Sequence, residues 1–166
     1  MFKLKAISKD TIPAAFERAE RYRQMNEPLD AESICHDILN IDPENQRALK
    51  TLLLALSEQF ENSLYPAYEK AMDILFGLKD DCSKTFYEGI IYERRAKAMM
   101  KQNGLGAGPM AYGWFRKAMH SYEIAIELGP PQNDDAVLRW NTCARIIMQN
   151  PEVKPEPQDF GEQMLE

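Results

Sequence analysis

Apolar residues recur along this chain every three to four positions. Ala31, Ile34, Cys35, Ile38 and Leu39 form one stripe, and Leu49, Leu52, Leu53, Leu56 and Phe60 form another. That spacing places side chains on one face of an α-helix. Strand signals are scarce, because β-branched residues are few and no segment alternates apolar and polar positions for long. Pro13, Pro28, Pro43, Pro66 and Pro130 punctuate the pattern at points where a helix can start or stop, since proline lacks the N–H that a helix interior needs. The pattern predicts three helix pairs, about 12–25 with 28–40, 45–61 with 65–77, and 83–102 with 110–128. A seventh helix follows at about 134–149, where Asn133 or Asp134 can accept hydrogen bonds from exposed N–H groups. The expected fold class is all-α.

Paired helices call for a search for internal repeats. In the first pair, Ala19, Tyr22, Ala31 and Pro43 put small residues where helices would cross and a proline at the close; in the third, Gly89, Tyr92, Ala118, Tyr122, Ala125 and Pro130 do the same. The segments EGIIY at 88–92, AMHSYEIAIELGP at 118–130 and ICHDILNIDPEN at 34–45 carry the pattern most fully. Over about residues 12–149 the chain resembles the tetratricopeptide repeat family. The middle unit departs from the family pattern: Leu53 and Leu56 replace the small residue and the aromatic, Ala67 and Ala71 keep their places, and Lys79 stands where the closing proline would be.

The resemblance implies a right-handed superhelix of antiparallel helix pairs within a single domain at 1–150, with repeats at about 12–45, 46–81 and 82–132 and a capping helix at about 134–149. Ala19 and Ala31 lie 12 residues apart, a regular interval, whereas Leu53 and Ala67 lie 14 apart and Gly89 and Ala118 lie 29 apart. The third repeat therefore carries about 17 extra residues, read as an extended hairpin insertion at about 100–113.

Composition narrows the function classes. A net charge of −6 on 166 residues argues against nonspecific nucleic-acid binding, which needs clustered Lys and Arg. MFKLKAISKDTIP lacks the apolar run of a signal peptide, and no stretch approaches the length of uninterrupted apolar sequence that membrane insertion requires. Cys35, Cys82 and Cys143 are odd in number and far apart, unlike a disulfide framework or a metal knuckle. Together these features lead to the expectation of a soluble, cytoplasmic protein.

Three features imitate chemistry. Gly106, Gly108 and Ala111 in QNGLGAGPMAYGW spell a dinucleotide-binding fingerprint, but a helical segment precedes them and no βαβ unit surrounds them. Asp159-Phe160-Gly161 matches a kinase triplet without the rest of a kinase. His36 and His120 lie on different repeats with no partner at helical spacing. The sequence thus assigns no catalytic residue, metal or cofactor, and an enzyme is not expected.

Recognition remains. The family implies a concave groove lined by the first helix of each pair, where peptides or partner helices bind. Carried over position by position, the groove comprises Phe16, Glu20 and Arg23, then Lys50 and Leu54, then Phe86, Ile90, Glu93, Arg94 and Lys97, with Val137 and Asn141 added by the capping helix. This mixture of apolar anchors and cations suits a peptide ligand. Chaperone-docking members clamp a carboxylate with a Lys and an Asn four residues apart, and the matching positions here hold Phe16 and Glu20, so that ligand is not expected. Met99, Met100, Met110, Tyr112, Trp114 and Phe115 are read as an apolar projection, a second interface for a partner or for self-association. Residues 151–166, with three prolines and an acidic balance, are expected to form a flexible tail carrying Phe160, Met164 and Leu165 as a short recognition segment. The expected function is a non-enzymatic adaptor; the alternatives are a type III secretion-like chaperone holding an exported partner, or a homo-oligomeric scaffold assembled through the 100–115 projection.

Overall fold

A computed structural model of the chain describes residues 2–62, 64–102 and 104–156. Among these residues the fold is entirely helical: a 3₁₀ turn at Lys9–Thr11 leads into α1 (Ile12–Gln24), α2 (Pro28–Ile41), α3 (Gln46–Ser57), α4 (Leu64–Leu75), α5 (Asp81–Gln102), α6 (Ala107–Leu128) and α7 (Asp135–Gln149). No helix is long and apolar enough to cross a membrane among the described residues.

Local chemistry explains the boundaries. Pro13 and Pro28 sit in the first turns of α1 and α2, where a missing N–H costs nothing. Asn45 caps α3 by accepting from the Ala48 N–H at 3.0 Å, and Asp80 caps α5 by accepting from the Ser83 N–H at 2.7 Å. Of the two residues offered for the start of α7, Asn133 serves, taking the Asp135 N–H at 3.2 Å, while the Asp134 side chain makes no capping bond.

Each helix packs against the next in sequence, and α3 also touches both α1 and α5. One buried cluster gathers Ala19, Ala31, Leu52, Leu53, Leu56 and Phe60 from the first half, and a second gathers Ile90, Ala96, Phe115, Ala118 and Tyr122 from α5 and α6. Fully burying a leucine or phenylalanine of this kind contributes about 1.5–3 kcal/mol. Leu53 and Leu56, which depart from the repeat pattern, are both core residues.

Helices α5 and α6 form the longest pair, 22 residues each. Cys82 meets Ala125, Gly89 meets Tyr122, and Met100 faces Gly108, so the partner number falls as the α5 number rises and the two run antiparallel. Helix α5 runs to Gln102 and α6 starts at Ala107, so most of the segment 100–113 expected as an insertion is helical. Gly106 takes a left-handed backbone with φ +79° just before α6 begins.

The apolar projection expected from these residues is corrected by the packing. Phe115 is completely buried and Met99 nearly so, Met100 and Tyr112 are half-buried beside them, and Trp114 is half-buried with its ring 5.4 Å from Tyr92 and 6.1 Å from Tyr68. The Arg95 guanidinium occupies the corner between Tyr68 and Trp114, 4.1 and 4.0 Å from the two ring centroids. Only Met110 of the expected set is exposed, at 52%. Helices α5 and α6 bury these side chains against each other and against α4, so the expected open apolar patch is not formed. The tail expected from Pro151 is corrected at its start, because Val153 is only 2% exposed and belongs to the same core cluster as Phe115 and Met99. Phe160, Met164 and Leu165 lie outside the described residues.

The closest approach in the α5–α6 pair depends on Gly89. A Cβ there would stand 2.4 Å from the Tyr122 ring, inside any allowed contact. Gly89→Ala is expected to destabilise the fold by about 1–3 kcal/mol through overpacking, although alanine is the better helix former by about 1 kcal/mol. A urea titration followed by circular dichroism checks this through a lowered midpoint.

Candidate functional site

The sequence-predicted groove residues fall into three groups in space. Phe16 is buried with Ile38 and Ala48, and the Arg47 guanidinium lies 4.4 Å over its ring, so it belongs to the core and presents nothing to a ligand. Lys50 is half-buried on α3 and faces the start of α5, where Ser83 holds the Asp80 carboxyl below its usual range and Lys50 adds a smaller pull. The remaining eight, Glu20, Arg23, Leu54, Phe86, Ile90, Glu93, Arg94 and Lys97, share the face formed by α1, α3 and α5, and α7 closes it on one side.

A line of charges crosses that face. Glu20 on α1 accepts from Thr51 on α3 at 3.2 Å and pairs with Arg23 at 3.0 Å. Arg23 donates to both oxygens of Glu58, just after α3, with its closest contact at 2.7 Å, and Arg94 on α5 reaches the same carboxylate at 3.5 Å. Burial opposes the charge on Arg23, but Glu58 outweighs it and the guanidinium is held above its ordinary value. Arg94 differs: burial lowers it, and the neighbouring Arg139 and Arg23 offset what Glu58 supplies.

Glu93 ends the line and is its most buried member, 1% exposed. Its carboxylate accepts from the Tyr122 hydroxyl of α6 at 2.6 Å and from Arg139 of α7 at 3.1 Å, while Lys97 one turn along α5 donates at 2.5 Å. Burial alone would raise this carboxyl. Lys97, Tyr122 and Arg139 more than compensate, so the net displacement is below the ordinary value of 4.5. The Tyr122 hydroxyl is pushed far up by burial and by the adjacent carboxylate, which keeps it a hydrogen-bond donor at every physiological pH.

Above this carboxylate lies a cleft of about 520 Å³. Leu54, Phe86, Tyr87 and Ile90 supply its apolar floor, Leu138, Arg139 and Thr142 of α7 its far wall, and Lys97 its end. Leu54, Phe86, Ile90, Glu93 and Lys97 are among the positions that the family resemblance assigned to a groove. Leu138 was missed by one residue and Arg139 by two, since Val137 and Asn141 were assigned on α7. Glu58 was missed because it follows the last helical residue of α3, where periodicity no longer orients a side chain. Charge balance is the sequence signal for Glu58, as the predicted residues of this face otherwise present three cations to two carboxylates.

Chemically the face offers apolar area and charges that are already paired. Among the described residues, no three His, Cys, Asp or Glu side chains are placed to share a metal ion. Cys35 and Cys143 are buried and their thiols are pushed up to about 12 by burial first and by nearby glutamates second. No family model, curated protein or solved structure matches the chain.

The depressed Glu93 carboxyl has a defined consequence for stability. A carboxylate whose folded pKa is below its unfolded value stabilises the fold above that value and loses the contribution as pH falls through the folded pKa. Wild-type stability is therefore expected to decline below about pH 4.5, and Glu93→Gln is expected to lose about 3 kcal/mol at neutral pH, as breaking a buried pair does. The variant's acid limb should be flatter than that of the wild type. Urea midpoints measured from pH 3 to 7, an interval of about four pH units around ordinary carboxylate values, check both points.

Proposed function

We propose that the protein is a non-enzymatic interaction module on the tetratricopeptide-repeat plan, with α1–α2, α3–α4 and α5–α6 as the helix pairs of a right-handed superhelix and α7 as its cap. Its groove binds a peptide or partner segment. Supporting this reading are the buried small residues Ala19, Ala31, Gly89, Ala118 and Ala125 within the pairs, and the contacts of α3 with both α1 and α5. The three unpaired cysteines fit work in a reducing compartment such as the cytoplasm.

One observation carries the proposal: the 520 Å³ cleft between α5 and α7, floored by Leu54, Phe86 and Ile90 and walled by the exposed Leu138. Pockets of this size and lining take one or two apolar side chains of a ligand. The surrounding cations are committed to Glu58 and Glu93, so apolar anchoring supplies most of the affinity and the polar rim sets orientation. A homo-oligomeric scaffold receives less support, because Met99 and Phe115 are buried within the chain.

Leu138 offers a clean test, since it is 61% exposed and its replacement leaves the core intact. Peptides selected on the wild type from a random phage-displayed library should bind Leu138→Asp about tenfold more weakly, a loss of about 1.4 kcal/mol, as measured by fluorescence anisotropy. Equal affinity for both proteins, or selection of no peptide at all, would contradict the proposal.

A further inference from the structure

Far from the cleft, the residues ahead of the 3₁₀ turn form an arm with no helix or strand, in which Phe2, Lys3, Leu4 and Lys5 alternate apolar and cationic side chains. In an extended chain successive side chains point to opposite sides, so such a segment has one apolar edge and one charged edge. Nothing in the described chain covers the apolar edge: Phe2 is 102% exposed and Leu4 is 88% exposed. The arm first packs at Ile7, which is half-buried against the cluster of Phe16, Ile38 and Ala48. Just beyond it, the Thr11 hydroxyl and N–H both donate to the Ser8 carbonyl, at 2.6 and 3.0 Å, and this turn fixes the point from which the arm departs.

Ile7 also stands at one end of a groove of about 480 Å³ between α1 and α2. Ala14, Ala15 and Tyr22 of α1 and Ile34 of α2 supply its apolar floor, and Asp30 and Asp37 of α2 face the single cation Arg18. Where α1 gives way to α2, close in sequence to Tyr22 and Asp30, Met25 is 57% exposed and Leu29 is 68% exposed. Arm and groove therefore carry complementary charge, and among the described residues none of Lys3, Lys5, Asp30 and Asp37 takes part in an ion pair. Their lengths agree as well. From Thr11 to Tyr22 the groove follows the helix for about 17 Å, at about 1.5 Å per residue, and residues 2–6 in extended form span about the same distance at about 3.3 Å per residue.

We infer that residues 2–6 dock in the α1–α2 groove of a second copy of this chain, with Phe2 and Leu4 on the apolar floor and Lys3 and Lys5 toward Asp30 and Asp37, and that two copies exchange these arms about a twofold axis. The arm's own chain is the poorer host. Its backbone leaves the groove at Ile7 and carries Phe2 and Leu4 into water, and reversing there takes a turn of about four residues, which leaves too few to seat both side chains. A second copy is free of that constraint, and a reciprocal exchange makes the same contact twice. Arms this short bury less than the roughly 1,200 Å² of a standard interface, so the pairing is weak and reversible. The groove shares no lining residue with the cleft between α5 and α7, so pairing leaves that cleft open.

Sedimentation equilibrium of the full chain, from micromolar to millimolar concentration at low salt, reads this pairing. The wild type should rise with concentration from the mass of one chain toward that of two. Phe2→Asp with Leu4→Asp should stay at the mass of one chain, and because both side chains are in water the substitutions leave the core untouched. Ala14→Arg, at an exposed position of α1, should do the same by filling the groove. Lys3→Glu with Lys5→Glu should weaken pairing severalfold, and adding Asp30→Lys with Asp37→Lys to that variant should restore it, with circular dichroism confirming that each variant is folded. A wild type that stays monomeric throughout would overturn the inference, whether its arm then lies in its own groove or binds anionic vesicles instead. Pairing that survives the Phe2 and Leu4 substitutions, or a folded charge-swapped variant that does not regain it, would overturn it equally.

Discussion

A carboxylate with 1% exposure cannot be left unpaired, and the fold on the α5–α6–α7 side is arranged around that requirement. Glu93 draws one donor from its own helix, one from α6 and one from α7. Desolvating a single carboxylate costs several kcal/mol, and three charged or hydroxyl donors at 2.5–3.1 Å restore it only when all three helices hold their places. The packing and the polar network specify one another: Gly89 lets Tyr122 approach α5 closely enough for its ring to pack and its hydroxyl to reach Glu93. A residue with a side chain at position 89 would separate both at once.

The same constraint shapes what the face can recognise. Arg23 is spent on Glu58, Arg139 and Lys97 on Glu93, and Arg94 sits half-buried between them with its guanidinium lowered by burial and by its cationic neighbours. Cations that look available as sequence letters are internal struts in the folded chain. The apolar floor of Leu54, Phe86 and Ile90 is left as the surface with unsatisfied contacts, and α7 determines how open it is. Because Arg139 anchors α7 to Glu93 near one end and Val153 anchors the chain beyond α7 near the other, the wall of the cleft is fixed at two points. The second of these anchors is the weaker, resting on one buried valine instead of a network of charges.

Much of the architecture was written in local patterns. The stripes Ala31–Leu39 and Leu49–Phe60, with proline at the helix starts, placed all seven helices within a few residues, since period and capping are short-range properties. What a helix buries its far side against is not local. The aromatic and methionine residues at 99–115 looked like an exposed interface because sequence cannot say that α5 and α6 extend side by side and close over Phe115. Val153 looked like part of an acidic, proline-bearing tail for the same reason: composition reports the average of a segment, and one buried side chain is enough to dock it. In the cleft, positions carried over from the family resemblance include five lining residues on α3 and α5, but on α7 they fell on Val137 and Asn141 and passed over Arg139, the partner that explains why Glu93 is tolerated in the interior.

The dependence of three helices on one carboxylate is measured most directly by a double-mutant cycle between Tyr122→Phe and Arg139→Met. These substitutions remove the donors that α6 and α7 supply to Glu93. Residues that act through a shared network show coupling of about 0.5–3 kcal/mol, whereas independent residues add within about 0.5 kcal/mol. The expected result, from urea unfolding of the four proteins at neutral pH, is a coupling energy above about 1 kcal/mol. Additive losses would show that Glu93 does not bind α6 and α7 into one unit, and would contradict its central place in the fold.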